Sequence, residues 1–299
     1  MRYKLTHRTS YRYASAVDLA WHVLHLRPRA LPFQKVANSE IVSSPRPAET
    51  HEGIDHFGNN IAQLMLNETH DHFTVEMRAE VDVAFPAAPD PLASQAWEQV
   101  ARDLDGDGFP KPVEANEFVY NSPLVAAHPG LLDYARPSFN AGRPVLDAVI
   151  DLTHRIKRDF AYDPGATDIS TPLLQVLQKR RGVCQDFAQL QIGCLRSLGL
   201  AARYVSGYIR TRPRPGQQAL RGADASHAWV SVWCGAAGWI DVDPTNDLVV
   251  SDQHVLVGWG RDFSDVSPVR GVILGGGHQS FGVSVDLVPL EGQSGSTPA

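Results

Sequence analysis

Phe73, Val75, Met77, Ala79, Val81, Val83 and Phe85 alternate with Thr74, Glu76, Arg78, Glu80, Asp82 and Ala84. A period of two sustained across this stretch puts every large apolar side chain on one face of an extended chain, which no helix can do. Residues Tyr3 to Ala14 are a second strand candidate. Asp55 to Leu66 reads as a hairpin turning at Gly58-Asn59-Asn60, where Gly and Asn tolerate positive φ. Strands with one apolar face must bury it against one another, so residues 1–88 are expected to form a β-sandwich-like domain.

Pro86-Ala87-Ala88-Pro89-Asp90-Pro91 interrupts the pattern as a linker, and the period then changes. Val145, Leu146, Val149, Ile150, Leu152 and Ile156 lie on one face of a helix that opens near Pro144. Thr171-Pro172 reads as the cap and first residue of a short helix through Leu177. From Cys184 onward, Phe187, Leu190, Cys194, Leu195 and Leu198 recur at helical spacing, and Gly199 supplies the stop. Strands are expected at Ala202–Arg210, His227–Cys234 and Trp239–Asp243, and Val283, Val285 and Leu287 alternate again. The class is α+β, with a second domain over residues 96–290 and a disordered tail at 291–299.

Net charge is −6 with only 27 basic residues, which argues against a nucleic-acid surface. No apolar run approaches the roughly 18 residues of a membrane span, and Met1–His7 lacks the apolar core of a signal peptide. Three cysteines make no disulfide framework, so the expected compartment is the cytoplasm, where a thiol stays reduced.

The chemistry concentrates in three blocks. Arg181-Gly182-Val183-Cys184-Gln185-Asp186-Phe187 puts a cysteine at a helix start, where the dipole and the unpaired N–H groups favour an anion; the thiolate is the reactive form. Ser226-His227-Ala228-Trp229 puts a histidine at a strand start, and Trp239-Ile240-Asp241-Val242-Asp243-Pro244-Thr245 puts an aspartate at a strand end. A cysteine, a histidine and an aspartate are the parts of a nucleophile, its base and the group that orients the base. Asp243, bordering the turn, is preferred to Asp241, which shares its face. Cys194 and Cys234 read as core. His22, His25, His51, His56, His70, His72 and His128 read as surface or structural. Asp103-Leu104-Asp105-Gly106-Asp107-Gly108 with Glu114 satisfies a calcium-loop pattern, but Pro110 and Pro112 fall where the exiting helix should start, so a solvated acidic loop is expected. No paired ligand spacing accompanies Cys184, His227 or Asp243, so no metal site is expected there.

The ordered blocks Gly-Val-Cys-Gln-Asp-Phe-Ala, Arg203-Tyr204-Val205-Ser206-Gly207-Tyr208, Ser-His-Ala-Trp and Trp-Ile-Asp-Val-Asp-Pro-Thr resemble the bacterial branch of the transglutaminase-like superfamily over roughly residues 140–270. The early segments Leu26-Arg27-Pro28-Arg29 and Asp55-His56-Phe57-Gly58-Asn59 resemble the β domain that accompanies this core in bacteria. The resemblance implies a papain-like core with Cys184 as nucleophile, His227 as base and Asp243 as third member. It also implies Tyr162, in Phe160-Ala161-Tyr162, at an oxyanion-hole or cleft position, with Gln185 beside it. The implied activity is cysteine-dependent acyl transfer on amide bonds through a thioester. Water makes it a protease or amidase, to which the reading leans; an amine makes it a transglutaminase. The partners are a peptide or protein amide and an amine acceptor, with no cofactor, no nucleic acid and no membrane. The alternative is an inactive transglutaminase-like binding module.

Overall fold

The computed structural model describes residues 1–106, 113–210 and 225–290. The chain runs β1 (Arg2–Leu24), β2 (Gln34–Ser44), β3 (Glu49–Ile54), β4 (Asn60–Leu66), β5 (His70–Val83), α1 (Trp97–Asp105), α2 (Val113–Asn116), α3 (Pro129–Ala135), α4 (Val145–Asp159), β6 (Ala161–Tyr162), α5 (Leu173–Lys179), β7 (Arg181–Gly182), α6 (Cys184–Ser197), β8 (Ala202–Ile209), β9 (Ala225–Trp233), β10 (Trp239–Asp243), β11 (Leu248–Val249), β12 (His254–Gly260), β13 (Val269–Gly275) and β14 (Gln279–Pro289).

The amino-terminal domain is one seven-stranded sheet curled into a sandwich around the long strand β1. Residues near the start of β1 pair with β5 on one side and β14 on the other; residues near its end pair with β4 and β13. A bulge between Val17 and Leu19 makes the bend possible. Before it the buried positions are odd (Tyr3, Leu5, Tyr13, Val17); after it they are even (Ala20, His22, Leu24). One inserted residue exchanges the two faces of a strand, so both halves of β1 present apolar side chains to one interior. Those side chains pack with the alternating set of β5 (Phe73, Val75, Met77, Ala79, Val81 and Val83).

Two expectations are corrected here. The second domain, expected to run to residue 290, ends earlier: β13, which the sequence pattern did not indicate, and β14, which holds the alternating Val283, Val285 and Leu287, pair with β1 and complete the amino-terminal sheet. Thr171 does not cap α5: Pro172 is the cap residue, with no side-chain cap bond, and the Thr171 hydroxyl accepts from the Asp168 N–H at 3.0 Å.

The core is a five-stranded antiparallel sheet, ordered β11-β10-β9-β8-β12, with helices packed on it. α6 is its central helix, and burial runs along every residue from Asp186 to Arg196, polar ones included. An amphipathic helix would expose its polar side chains; here Arg196 and the Gln191 amide N–H find partners inside. Arg196 donates to the carbonyls of Phe118, Ala202 and Arg261 and to the Ser122 hydroxyl, and Gln191 donates to Thr153 Oγ1. Gly199 takes φ +79° just past the helix end, a conformation that favours glycine.

The two domains join along β12. Gln34 is fully buried and bonds both the N–H and the carbonyl of Leu256. Asn59 does the same to Trp259, and Arg29 stacks on the Trp259 ring at 3.5 Å while bonding Asn59 Oδ1 and the Phe57 carbonyl. The segments around Arg29 and Asp55–Asn59 thus form the seam that docks the sheet on the core.

Candidate active site

Cys184 is the first residue of α6 and is only partly buried. Its position is set by a carboxylate behind it. Asp186 Oδ2 accepts from the Val183 N–H at 2.8 Å and from the Thr167 hydroxyl at 2.6 Å, which pins the helix start. Gly182 leaves the room: a Cβ there would lie 2.6 Å from Asp186 Oδ2. Burial raises the Asp186 carboxyl, against the bonds from Thr167 and Val183. With the Val183 N–H taken by Asp186, the N–H groups of Cys184 and Gln185 remain at the helix start, where no intrahelical acceptor exists. The Gln185 side chain is half-buried on this first turn.

His227 lies near the start of β9 and Asp243 at the end of β10. Antiparallel pairing of the two strands brings their side chains together, and His227 Nε2 lies 2.7 Å from Asp243 Oδ2. The Cys184 sulfur is close enough to the imidazole to help raise it, and with Nε2 committed to Asp243, Nδ1 is the nitrogen left to face it. Asp241 does not compete, because its Oδ2 accepts from Trp229 Nε1 at 2.9 Å.

Asp243 is wholly buried and takes bonds on both oxygens. The backbone N–H groups of Thr245 and Asn246 hold Oδ1, at 2.9 and 3.1 Å. His227, the Asn246 side chain (2.7 Å) and His254 Nε2 (3.2 Å) hold Oδ2. Burial works against this carboxylate, but the bonds from His227 and His254 and the charge of His227 hold its carboxyl well below the usual carboxylate range. The same balance runs the other way at His227. Burial lowers the imidazole; the bond to Asp243 and the neighbouring Cys184 sulfur, with their charges, outweigh it and raise it to about 10.

Asn246 and His254 were not singled out in the sequence. Asn246 carries a local signal, since an Asp-Pro-Thr-Asn turn folds its amide back on the carboxylate. His254 opens an ordinary apolar strand and carries none. His227, Asp243 and His254 bring three possible ligand atoms within 4.8 Å of one another. Both imidazole Nε2 atoms aim at the single oxygen Oδ2. That is hydrogen-bond geometry, whereas ligands of a bound ion surround a common centre at about 2 Å.

Tyr162 reaches the site through a short parallel pairing, in which it stands opposite Gly182. Its ring is more than half exposed, and its phenol is raised by burial and then by the charge of Cys184. Cys194 and Cys234 are free and buried, each thiol pushed up to about 12 by burial. His7, His22, His25 and His70 are buried in the amino-terminal half, while His51, His56, His72 and His128 are exposed. Asp103 and Asp105 lie in the helix α1 rather than in a loop; positions 107–112 of the candidate calcium loop, like the expected tail, fall outside the described residues.

Residues 3–82 match the family described as the bacterial transglutaminase-like N-terminal region, and residues 133–244 match the transglutaminase-like superfamily. The chain belongs to the transglutaminase-like superfamily. An uncharacterized protein of Mycobacterium tuberculosis is 41% identical over 98% of this chain and 94% of its own length. A protein-glutamine gamma-glutamyltransferase of Pseudomonas aeruginosa is 39% identical over 58% of this chain and 27% of its own. Among solved structures, a cysteine protease candidate from Cytophaga hutchinsonii shares the fold, with a TM-score of 0.72 and 22% identity over 97% of this chain and 92% of that one. Membership places the protein in a family of cysteine-dependent enzymes. No helix among the described residues is long and apolar enough to cross a membrane.

Proposed function

We propose that this protein is a cysteine-dependent acyltransferase acting on amide bonds, with Cys184 as nucleophile, His227 as base and acid, and Asp243 as the group that orients His227. The observation that carries this reading is the His227 ring bonded to a buried carboxylate and set beside Cys184, the one cysteine of the three that is not buried.

The Cys184 sulfur attacks the amide carbon, and the C=O electron pair moves onto oxygen. The N–H groups at the α6 start, with Tyr162 at the mouth, stabilise that oxyanion. As the tetrahedral intermediate collapses the C–N bond breaks, and the leaving nitrogen takes a proton from the His227 imidazolium, leaving a thioester. In the second half, water or a primary amine attacks the thioester carbon while losing a proton to His227. The C–S bond then breaks and the thiolate returns. Asp243 stays ionised throughout and holds the ring in one tautomer.

The Pseudomonas relative is named for glutamine as acyl donor, which makes the glutamine side-chain amide the first substrate class to test. Glutamine-bearing peptides are incubated with the full chain, with and without a primary amine, and read by mass. A gain of about one dalton marks hydrolysis; a gain of the amine less ammonia marks transfer. The expected product disappears in Cys184→Ala. Product formation that persists in Cys184→Ala overturns the mechanism.

A further inference from the structure

His254 is the second imidazole on Asp243. It is completely buried, edge-on to Trp229 at 5.2 Å between ring centroids and 6.0 Å from the His227 ring. Its Nε2 faces a carboxylate oxygen, which can only accept, so Nε2 carries the proton. Its Nδ1 is buried with no hydrogen-bond partner among the described residues. Through Nε2 it adds a bond to the Asp243 carboxylate. The charged groups that face it are Asp243 from β10 and His227 from β9; Asp241 is turned to the Trp229 indole, and Asp252 bonds the Phe85 N–H.

We propose that His254 is a positioning residue for the Asp243–His227 pair. A carboxylate rotates easily about its last side-chain bond, and a rotated carboxylate presents the wrong lone pair to the histidine. The backbone N–H groups after Asp243 fix Oδ1, while His254 and Asn246 hold Oδ2, so the remaining direction points at His227. The donor is rigid because its strand is rigid. Gln34 clamps both polar groups of Leu256 and Asn59 clamps those of Trp259, so the amino-terminal domain fixes the strand that delivers His254. Gly207 completes the arrangement: a Cβ there would lie 2.5 Å from the Trp229 ring and 2.2 Å from the Val255 carbonyl. No other residue would let Trp229 and β12 close around His254.

This inference rests on the Cys184–His227–Asp243 reading, and the test separates the two. In the full chain, the rate of Cys184 alkylation by iodoacetamide at pH 7 is followed by mass for wild type, His254→Gln, His254→Leu and Asp243→Asn, each with its thermal midpoint. Gln puts an N–H near the place of Nε2; Leu keeps similar bulk and has no donor. His254→Met, also without a donor, is the second variant of that kind. The donor-free variants are expected to slow alkylation about tenfold, since a bond to a charged acceptor is lost, and His254→Gln to recover most of it. Their midpoints need not fall, because each also removes the unpaired Nδ1. If Leu and Met react at the wild-type rate while Asp243→Asn is slow, or if Gln is as slow as they are, the positioning role is overturned and the triad reading stands. If Asp243→Asn itself reacts at the wild-type rate, the triad reading falls.

Discussion

His22 and His227 are both buried, one in each domain, and the protein gives them opposite charge behaviour. His22 lies flat against Phe73 at 4.3 Å, with neither ring nitrogen bonded among the described residues. Burial, with His70 nearby, lowers it to about 4. His7, on the same interior, is lowered to about 4 by burial alone, although it meets the Thr9 hydroxyl. His227 feels the same desolvation, yet its bond to Asp243 and the nearby Cys184 sulfur raise it to about 10. The lesson is that burial makes a neutral histidine and a fixed carboxylate makes a charged one. In the amino-terminal sheet histidine is used as a flat, mostly apolar filler; in the core it is held as an ion.

That contrast can be broken from either side. Cys184→Ala has the largest expected effect, loss of turnover by about 10⁶ with the thermal midpoint unchanged, as for removal of a triad nucleophile; residual turnover near wild type in a peptide assay would contradict it. Asp243→Asn comes next, because it turns His227 into a second His22. The expected loss is about 10³–10⁴ in rate, at the lower end because a thiol needs less help than a hydroxyl.

Stability against pH sharpens the comparison, since the two histidines give opposite slopes. The folded His227 sits above its unfolded value of about 6.5, so its contribution is whole below that pH and is lost as pH rises through about 10. Asp243, held low, contributes above the unfolded aspartate value of about 3.9 and loses this as acid approaches its folded value. His22 sits below its unfolded value, so its folded form is favoured above pH 6.5 and disfavoured as pH falls toward about 4. Denaturant titrations should show that Asp243→Asn flattens the alkaline slope. His22→Phe, which keeps a ring against Phe73, should flatten the acid slope by about 3 kcal/mol near pH 4. An unchanged acid slope in His22→Phe would show that another group carries it.

Smaller effects test the packing on each side. Cys194→Ala should cost about 1 kcal/mol of stability and leave Cys184 alkylation untouched, because Cys194 is core. Gln34→Met should lower the midpoint, since the buried N–H and carbonyl of Leu256 lose their partner, and slow alkylation about twofold, by loosening β12 without touching the site.

Much of this was legible in the sequence because it rests on local pattern. The period of two at Phe73–Phe85, the glycine before Cys184 and the turn after Asp243 each carry their own signal. What escaped depends on distant contacts. Nothing within residues 269–289 says that they will pair with β1 rather than stay with the core. The polar side chains of α6 look solvated until Phe118, Ala202 and Arg261 turn their carbonyls toward Arg196. The bulge that moves the apolar face of β1 disguises one long strand as a short one. His254 becomes part of the site only when β12, pinned by Gln34 and Asn59, is laid beside β8.

The central claim is that Cys184 and His227 act as a pair oriented by Asp243. Selective alkylation measures this most directly: wild type and Asp243→Asn are treated with limiting iodoacetamide at pH 7, and each cysteine is quantified by peptide mass. The account predicts that Cys184 reacts much faster than a free thiol in wild type and slows sharply in Asp243→Asn, with Cys194 and Cys234 inert in both. Cys184 reacting no faster than a free thiol, or at the same rate with and without the Asp243 carboxylate, would contradict it.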